Sequence, residues 1–140
     1  MSDQDVKQYK DNMKNASLEI RNGKITETFL GIEDHGIFTF MLYLDYGGSG
    51  QGAGGYGLDT PIKVGGTFVR RIGTAGGMSL IMEILSVVGV EKWEDLKGKH
   101  IRVKSDYDKV HAIGNIIKDK WVDFKLFFEE IGAYTSLIEK

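Results

Sequence analysis

Basic side chains with polar and aromatic neighbours cluster between positions 102 and 115. The set comprises Arg102, Lys104, Lys109, His111, Asn115 and Tyr107. In a hairpin that turns between Ser105 and Lys109, these side chains would lie close to one another. Arginine, lysine and asparagine beside an aromatic ring can grip a phosphate and a base. A solvated, charged face of a sheet gives the same pattern, so the sequence leaves both interpretations open.

A second candidate anion site is the pair Arg70 and Arg71. It is followed by the glycine-rich segment Gly73–Gly77 and then by the most apolar stretch of the chain, Met78–Gly89. Backbone amides at a helix N-terminus bind anions, and two adjacent arginines would add positive charge. The alternative is that the glycines let the helix pack closely on a symmetry mate while both arginines are solvated.

The segment Tyr46–Asp59 contains seven glycines among fourteen residues. It is not a phosphate loop, because no lysine or arginine occurs between Asp45 and Lys63 and no helix start follows. A flexible loop or a glycine-bulged strand pair is one interpretation. The other is a glycine-rich β segment whose bare backbone lets a ligand or a subunit approach closely, with Gln51 and Tyr56 as its polar contacts.

Catalytic motifs give little support to an enzyme. His35 lies in an acidic turn with Glu33 and Asp34, yet the three histidines show no metal-binding HExxH spacing. A turn histidine held by its neighbours explains His35 better than a metal ligand or a general base. The nucleophile motif GxSxG is also absent. The sequence therefore predicts a protein that is not an enzyme, with no metal site and no cofactor.

Composition points to one globular domain. The chain has 140 residues, a formal net charge of −2 and no cysteine. A net negative charge argues against DNA or RNA polymers as partners, and the lack of cysteine fits an intracellular protein. No apolar run reaches the length of a membrane span, so we expect no membrane association and a cytoplasmic location.

Hydrophobic periodicity predicts an α+β fold, mainly an antiparallel sheet with one long apolar helix and a short C-terminal helix. Residues 1–16 form a polar N-terminal extension, and residues 17–140 form a single ligand-binding domain. The expected elements are a β-hairpin turning at Asn22-Gly23, a strand at Ile37–Leu44, a short return strand at Tyr56–Leu58, a helix at Met78–Gly89 capped by Thr74 or Ser79, a hairpin between His100 and Ile117, and a closing helix at about Asp123–Glu130.

Several segments between Ser17 and about Glu130 resemble the phage Thoeris anti-defence sponge family. The similar segments are Leu30–Thr39, Asp45–Tyr56, Val88–Lys99, Ala112–Ile116 and Asp119–Trp121. The resemblance implies a small phage protein that binds cyclic ADP-ribose isomers made by bacterial TIR-domain immune enzymes. It implies sequestration of that signal without cleavage, assembly into dimers or hexamers, and in some members binding of cyclic oligonucleotides at separate sites.

On this basis we expect a protein that acts in the cytoplasm of an infected bacterial cell. The expected ligand-binding residues follow from their own chemistry and not from the resemblance, and they are Arg102, Lys104, Lys109, Asn115, Arg70, Arg71 and Tyr56. Two alternatives remain from other classes of protein. One is an enzyme that degrades the nucleotide signal, and the other is a phage protein that binds a host protein partner.

Overall fold

The computed structural model describes residues 2–15 and 18–139, with side chains described for residues 2–10 and 18–132. The elements are α1 (Asp3–Asn15), β1 (Glu19–Ile32), β2 (Phe38–Asp45), β3 (Gly50–Gly54), β4 (Asp59–Val64), β5 (Thr67–Gly73), α2 (Ala75–Val88), β6 (His100–Ser105), β7 (Val110–Gly114), β8 (Trp121–Asp123) and α3 (Phe124–Glu139). Six strands form one antiparallel sheet in the order β3-β2-β1-β6-β7-β8, and β4 pairs with β5 separately. The predicted α+β class, with a mainly antiparallel sheet, is confirmed.

The hydrophobic core lies between one face of this sheet and the helices α2 and α3. Strand residues such as Phe40 and Val103 are fully buried against Leu80 and Ile84 of α2 and Phe124 of α3. Along β6 the burial alternates, with Ile101 and Val103 inside and the intervening side chains on the outer face, as the sequence pattern predicts. The alternation therefore assigns the two faces of the sheet.

The predicted turn at Asn22-Gly23 is wrong, because both residues lie inside the long strand β1. Gly23 pairs with Ile101 of β6 instead of turning the chain. A Cβ atom at Gly23 would lie 3.1 Å from the ring of Tyr46, so the glycine accommodates that ring. Tertiary packing thus overrides a strong local turn signal.

The glycine-rich segment contains the return strand, but at a different position from the predicted one. Strand β3 (Gly50–Gly54) pairs with β2, whereas the predicted strand Tyr56–Leu58 is irregular. Glycine is required at position 54, where φ is +133° and a Cβ atom would lie 2.5 Å from the carbonyl oxygen of Phe40. Residues Gly50–Gly54 are therefore a glycine-rich strand, and the close approach of a ligand or subunit to it stays a prediction.

Of the two N-caps predicted for helix α2, the structure has Thr74, and the helix ends at Gly89 as predicted. The Thr74 hydroxyl accepts a hydrogen bond from the Gly77 amide at 2.9 Å, and Gly89 ends the helix with φ at +91°. The predicted segment Met78–Gly89 corresponds to this helix, which starts at Ala75 and has 14 residues. The predicted closing helix corresponds to α3, which continues to Glu139.

The N-terminal helix α1 contacts the body of the protein through Tyr9. The Tyr9 hydroxyl donates to the Asp123 carboxylate at 3.2 Å, and the Lys125 ammonium lies 4.6 Å from the centre of the Tyr9 ring. Burial, reinforced by the nearby Asp123 charge, raises the pKa of Tyr9 well above its usual value. The phenol therefore stays a donor. The predicted domain boundary at Ala16 and Ser17 lies outside the described residues.

Candidate anion-binding site

Two predicted basic residues, Arg102 and Lys104, meet over one indole ring on the outer face of the sheet. The Lys104 ammonium lies 4.3 Å from the centre of the Trp121 ring, and the Arg102 guanidinium carbon lies 4.8 Å from it. The alternation of β6 puts both cations on the same face, and β8 brings Trp121 beside them. We call these three residues the indole shelf.

Gly114 of β7 positions the indole. It pairs with Arg102 on one side and with Trp121 on the other, so the three residues form one row across β6, β7 and β8. A Cβ atom at Gly114 would lie 2.5 Å from the nearest ring carbon of Trp121. The ring thus lies directly on the glycine backbone, and the two cations lie over the ring.

Arg102 is further fixed by the loop that connects β7 to β8. Its Nε donates to the carbonyl of Asn115 and its Nη2 to the carbonyl of Lys118, both at 2.7 Å. These bonds hold the guanidinium in place and also occupy part of its donor capacity. Lys104 is the better-placed cation for a ligand, since the contact described for its ammonium is with the Trp121 ring.

Asn115, a predicted ligand residue, serves the loop and the end of α2. Its Nδ2 donates to the carbonyl of Val87 at 3.0 Å, and its Oδ1 accepts from the amides of Ile117 and Lys118 at 2.9 Å. With its amide group engaged in this way, Asn115 supports Arg102 through the loop and is not presented to a ligand.

The contacts described for Lys109, Tyr56 and His111 are with residues outside the indole shelf. The Lys109 ammonium is 5.3 Å from the centre of the Tyr56 ring, which in turn contacts the rings of Phe124 and Phe128 on α3. His111 contacts the Asp106 carboxylate at 2.8 Å. Lys109 and Tyr56 are thus brought together, but on the α3 side of the molecule. Of the four basic residues grouped by the sequence, the described contacts join only Arg102 and Lys104, through Trp121.

Arg71 is paired with a carboxylate, and Arg70 is exposed on the same strand. Arg71 Nε and Nη2 donate to the two carboxylate oxygens of Asp59 at 2.8 and 3.0 Å. This contact lowers the pKa of Asp59, so the carboxylate stays charged. Because its guanidinium is already neutralised, Arg71 is a weak candidate for binding an anion.

The two predicted anion sites are far apart in one chain. Arg102 lies opposite Asn22 in the sheet, whereas Arg71 lines a cleft of about 460 Å³ together with Ile32. Ten residues of β1 separate Asn22 from Ile32, which corresponds to roughly 30 Å of strand. The two phosphates of a single ligand therefore cannot contact both sites of the same copy.

An acidic cleft of about 430 Å³ adjoins the shelf. Trp121 forms part of its lining together with Glu83, Asp123 and Glu130. Carboxylates repel phosphate and accept hydrogen bonds from hydroxyl groups. A phosphate would therefore be directed to the cations and away from this cleft.

Trp121 is the functional residue that the sequence patterns missed. It precedes the predicted closing helix at about Asp123–Glu130 and was not among the expected ligand-binding residues, and it lies in β8, before α3 begins. Only Val122 of this strand is buried, and Trp121 reaches the cations through the pairing of β8 with β7 and of β7 with β6, which no local sequence signal indicates.

Metal chemistry finds no support in the part of the chain that the structure describes. There, no group of three or more histidine, aspartate or glutamate side chains could hold a metal ion. His35 contacts Glu33 at 3.0 Å within its own turn.

Among the described helices, none combines the length and apolar character needed to cross a membrane. Comparison of the chain with models of protein families, with curated proteins and with solved structures finds no match.

Proposed function

We propose that the protein binds a cyclic ADP-ribose-type signalling nucleotide and sequesters it without cleaving it. The observation that carries the proposal is the indole shelf, where Arg102 and Lys104 lie over Trp121. The described ion pairs of the protein involve other cations, so no carboxylate is described as neutralising either shelf residue. Two adjacent cations without a carboxylate are a suitable site for a phosphate.

The indole ring contributes by holding the cations in place before the ligand arrives. Cation–π contacts at exposed sites contribute about 0.5–1 kcal/mol each, and they restrict two long side chains that would otherwise lose entropy on binding. A base has two places to stack: the Arg102 guanidinium, or the indole after the Lys104 ammonium moves toward the phosphate. Sequestration requires only such binding, and no catalytic group.

The family resemblance supplies the biological side of the proposal. A sponge of this kind acts in the cytoplasm of the infected bacterial cell and keeps the immune effector inactive by removing its signal. The same resemblance supports a homo-oligomer, dimer or hexamer, and further sites for cyclic oligonucleotides. The net charge of −2 supports a small nucleotide rather than a DNA or RNA polymer as the ligand.

Isothermal titration with cyclic ADP-ribose isomers tests the proposal. Lys104→Gln should weaken binding by about 1.5–3 kcal/mol, which is roughly 10- to 150-fold in Kd. Lys63→Gln removes the same charge from an exposed position on β4 and is the matched control. Lys104 is preferred to Arg102 for this test, because Arg102 also holds the loop after β7.

The fate of the ligand separates the alternatives. Intact nucleotide recovered after denaturation supports sequestration, whereas a hydrolysed product assigns the protein to enzymes that degrade the signal. Equal affinities of Lys104→Gln and Lys63→Gln would remove the indole shelf from the site. A protein partner captured from host extract, with no nucleotide binding in titration, would favour the host-binding alternative.

A further inference from the structure

Strand β1, with 14 residues, is longer than both of its neighbours, β2 with 8 and β6 with 6. It pairs with β2 as far as Ile32, but with β6 only from Glu19 to Lys24. A bulge between Ile25 and Glu27 marks the point where β1 leaves β6. Beyond this point the described residues supply no strand on the β6 side of β1, so the segment from 26 to 32 has an open edge.

The backbone groups on this edge can be assigned from the hydrogen bonds nearby. The Glu33 amide donates to the carbonyl of Ile37 at 3.0 Å, at the end of the β1–β2 ladder. Because bonding alternates along an antiparallel pair, Thr28, Leu30 and Ile32 direct their amides and carbonyls away from β2. No backbone partner is described for them on that side within residues 18–139.

The other edges of the six-stranded sheet are protected. Gln51 of β3 donates its side-chain amide to the carbonyls of Asp106 and Tyr107, which closes that edge against the β6–β7 turn. At the opposite edge, β8 has three residues. Proteins protect exposed edges with charges, prolines, bulges or short strands. The segment 28–32, TFLGI, contains neither a charge nor a proline, and its ladder to β2 is regular.

An apolar groove runs beside the open edge. A cleft of about 190 Å³ lies between Leu30 and the α2 residues Met78 and Ile81. Ile32 and Met78 are 71% and 64% exposed, which is high for side chains of this size on a strand edge and a helix. Unpaired backbone and uncovered apolar surface thus occur at the same place, as in sites that accept an added strand.

We propose that this edge pairs with the same segment of a second copy of the chain. An antiparallel pair centred on Leu30 puts Thr28 opposite Ile32 of the partner subunit, so one twofold axis satisfies the outward backbone groups of both copies. The segment 28–32 is uncharged, so self-pairing juxtaposes no like charges there. Just outside the segment, this register puts Glu27 opposite Glu33 of the partner subunit. Within one chain each of these carboxylates already contacts a basic side chain, Lys97 at 3.2 Å for Glu27 and His35 at 3.0 Å for Glu33.

The pairing joins two six-stranded sheets into one continuous sheet and brings the two α2 helices to the same face. It gives the proposed homo-oligomer a defined interface, and it does not depend on nucleotide binding. The alternative is that strands β4 and β5 of the second copy cover the open edge of β1. They form a separate two-stranded sheet whose residues Phe68 and Val69 are more than half exposed.

Disulfide trapping tests the register, because the chain has no cysteine of its own. Leu30→Cys should form a covalent dimer under mild oxidation, on the order of tenfold or more faster than Tyr107→Cys, owing to the high effective concentration at the axis. Tyr107 is 96% exposed at the β6–β7 turn and is the control. A mixture of Thr28→Cys and Ile32→Cys chains should cross-link faster than either chain alone.

Light scattering on the unsubstituted chain, without nucleotide, gives the assembly state independently. A dimer or larger species supports the proposal, and a monomer at high concentration overturns it. Cross-linking of Leu30→Cys at the control rate also overturns it, as does preferential cross-linking to a Phe68→Cys chain, which would assign the edge to β5. None of these results depends on whether a nucleotide binds.

Discussion

Replacing Gly114 by alanine should displace the indole of Trp121 and so disassemble the indole shelf. The added Cβ atom would lie 2.5, 2.6 and 2.7 Å from three ring carbons. Carbon atoms in proteins approach favourably at about 3.5–4.0 Å, so the ring must move by about 1 Å. A planar indole cannot bend to absorb this, so it must tilt or shift away from Arg102 and Lys104.

The cost of Gly114→Ala can be worked from this geometry. Overpacking costs about 1–3 kcal/mol, and part of two exposed cation–π contacts, about 0.5–1 kcal/mol each, is lost as well. Alanine also restricts the unfolded chain more than glycine does, which stabilises the folded protein by about 0.4–1 kcal/mol. The expected net destabilisation is about 2 kcal/mol, or a fall in Tm of roughly 6–8 °C for a chain of this size.

Denaturant unfolding followed by circular dichroism measures this loss, and tryptophan fluorescence locates it. In a Trp93→Phe background, the emission of Trp121 should change on Gly114→Ala. Gly73→Ala is the matched control, because a Cβ atom at that strand position would meet nothing within 4 Å. If Gly114→Ala matched Gly73→Ala in stability and emission, the proposed stacking on Gly114 would be refuted.

Three further predictions follow from other contacts. Gly77→Ala should lower the free energy of unfolding, measured by chemical denaturation, by about 3 kcal/mol. The added Cβ atom would lie 2.4 Å from the Leu58 carbonyl oxygen, and neither the backbone of Gly77 nor that of Leu58 can move cheaply. An unchanged free energy of unfolding would contradict this packing. The His111 ring, followed by the Lys109 amide, lowers the pKa of Asp106. The stability difference between wild type and Asp106→Asn should therefore persist from pH 7 to 5 and shrink as the pH falls below about 4, as urea titration at each pH would measure. Tyr9→Phe should speed hydrogen exchange in α1, because it removes the hydrogen bond to Asp123. Since the phenol pKa is raised, the difference in exchange rate between wild type and variant should persist until the pH rises above about 10.

Local sequence chemistry was sufficient for several elements. Strict alternation in β6 predicted which side chains face the core, because a strand turns successive residues to opposite faces. Thr74, one of two candidate N-caps, and Gly89 predicted the two ends of α2, because a capping hydroxyl and a left-handed glycine act within a single turn. Each of these features depends only on residues that are neighbours in the chain.

The candidate site was predictable only in part. The cations Arg102 and Lys104 were identified by residue type and by their shared face. Their aromatic partner was missed, because Trp121 reaches them through two strand pairings that no local pattern encodes. Lys109 and Asn115 were grouped with them by proximity in sequence, but the first contacts Tyr56 and the second supports a loop.

By itself, the sequence determined the α+β class, the C-terminal end of α2, the inward and outward faces of β6 and the glycine-rich segment as bare backbone, while it left the N-cap of α2 open between Thr74 and Ser79. Tertiary structure decided where long-range partners meet. The turn signal Asn22-Gly23 became the middle of a strand, because pairing with β6 and the ring of Tyr46 outweighed a local preference. The open edge of β1 and the indole shelf both arise from strand register. Register joins residues that are far apart in the chain, and the energies that set it are summed over the whole sheet.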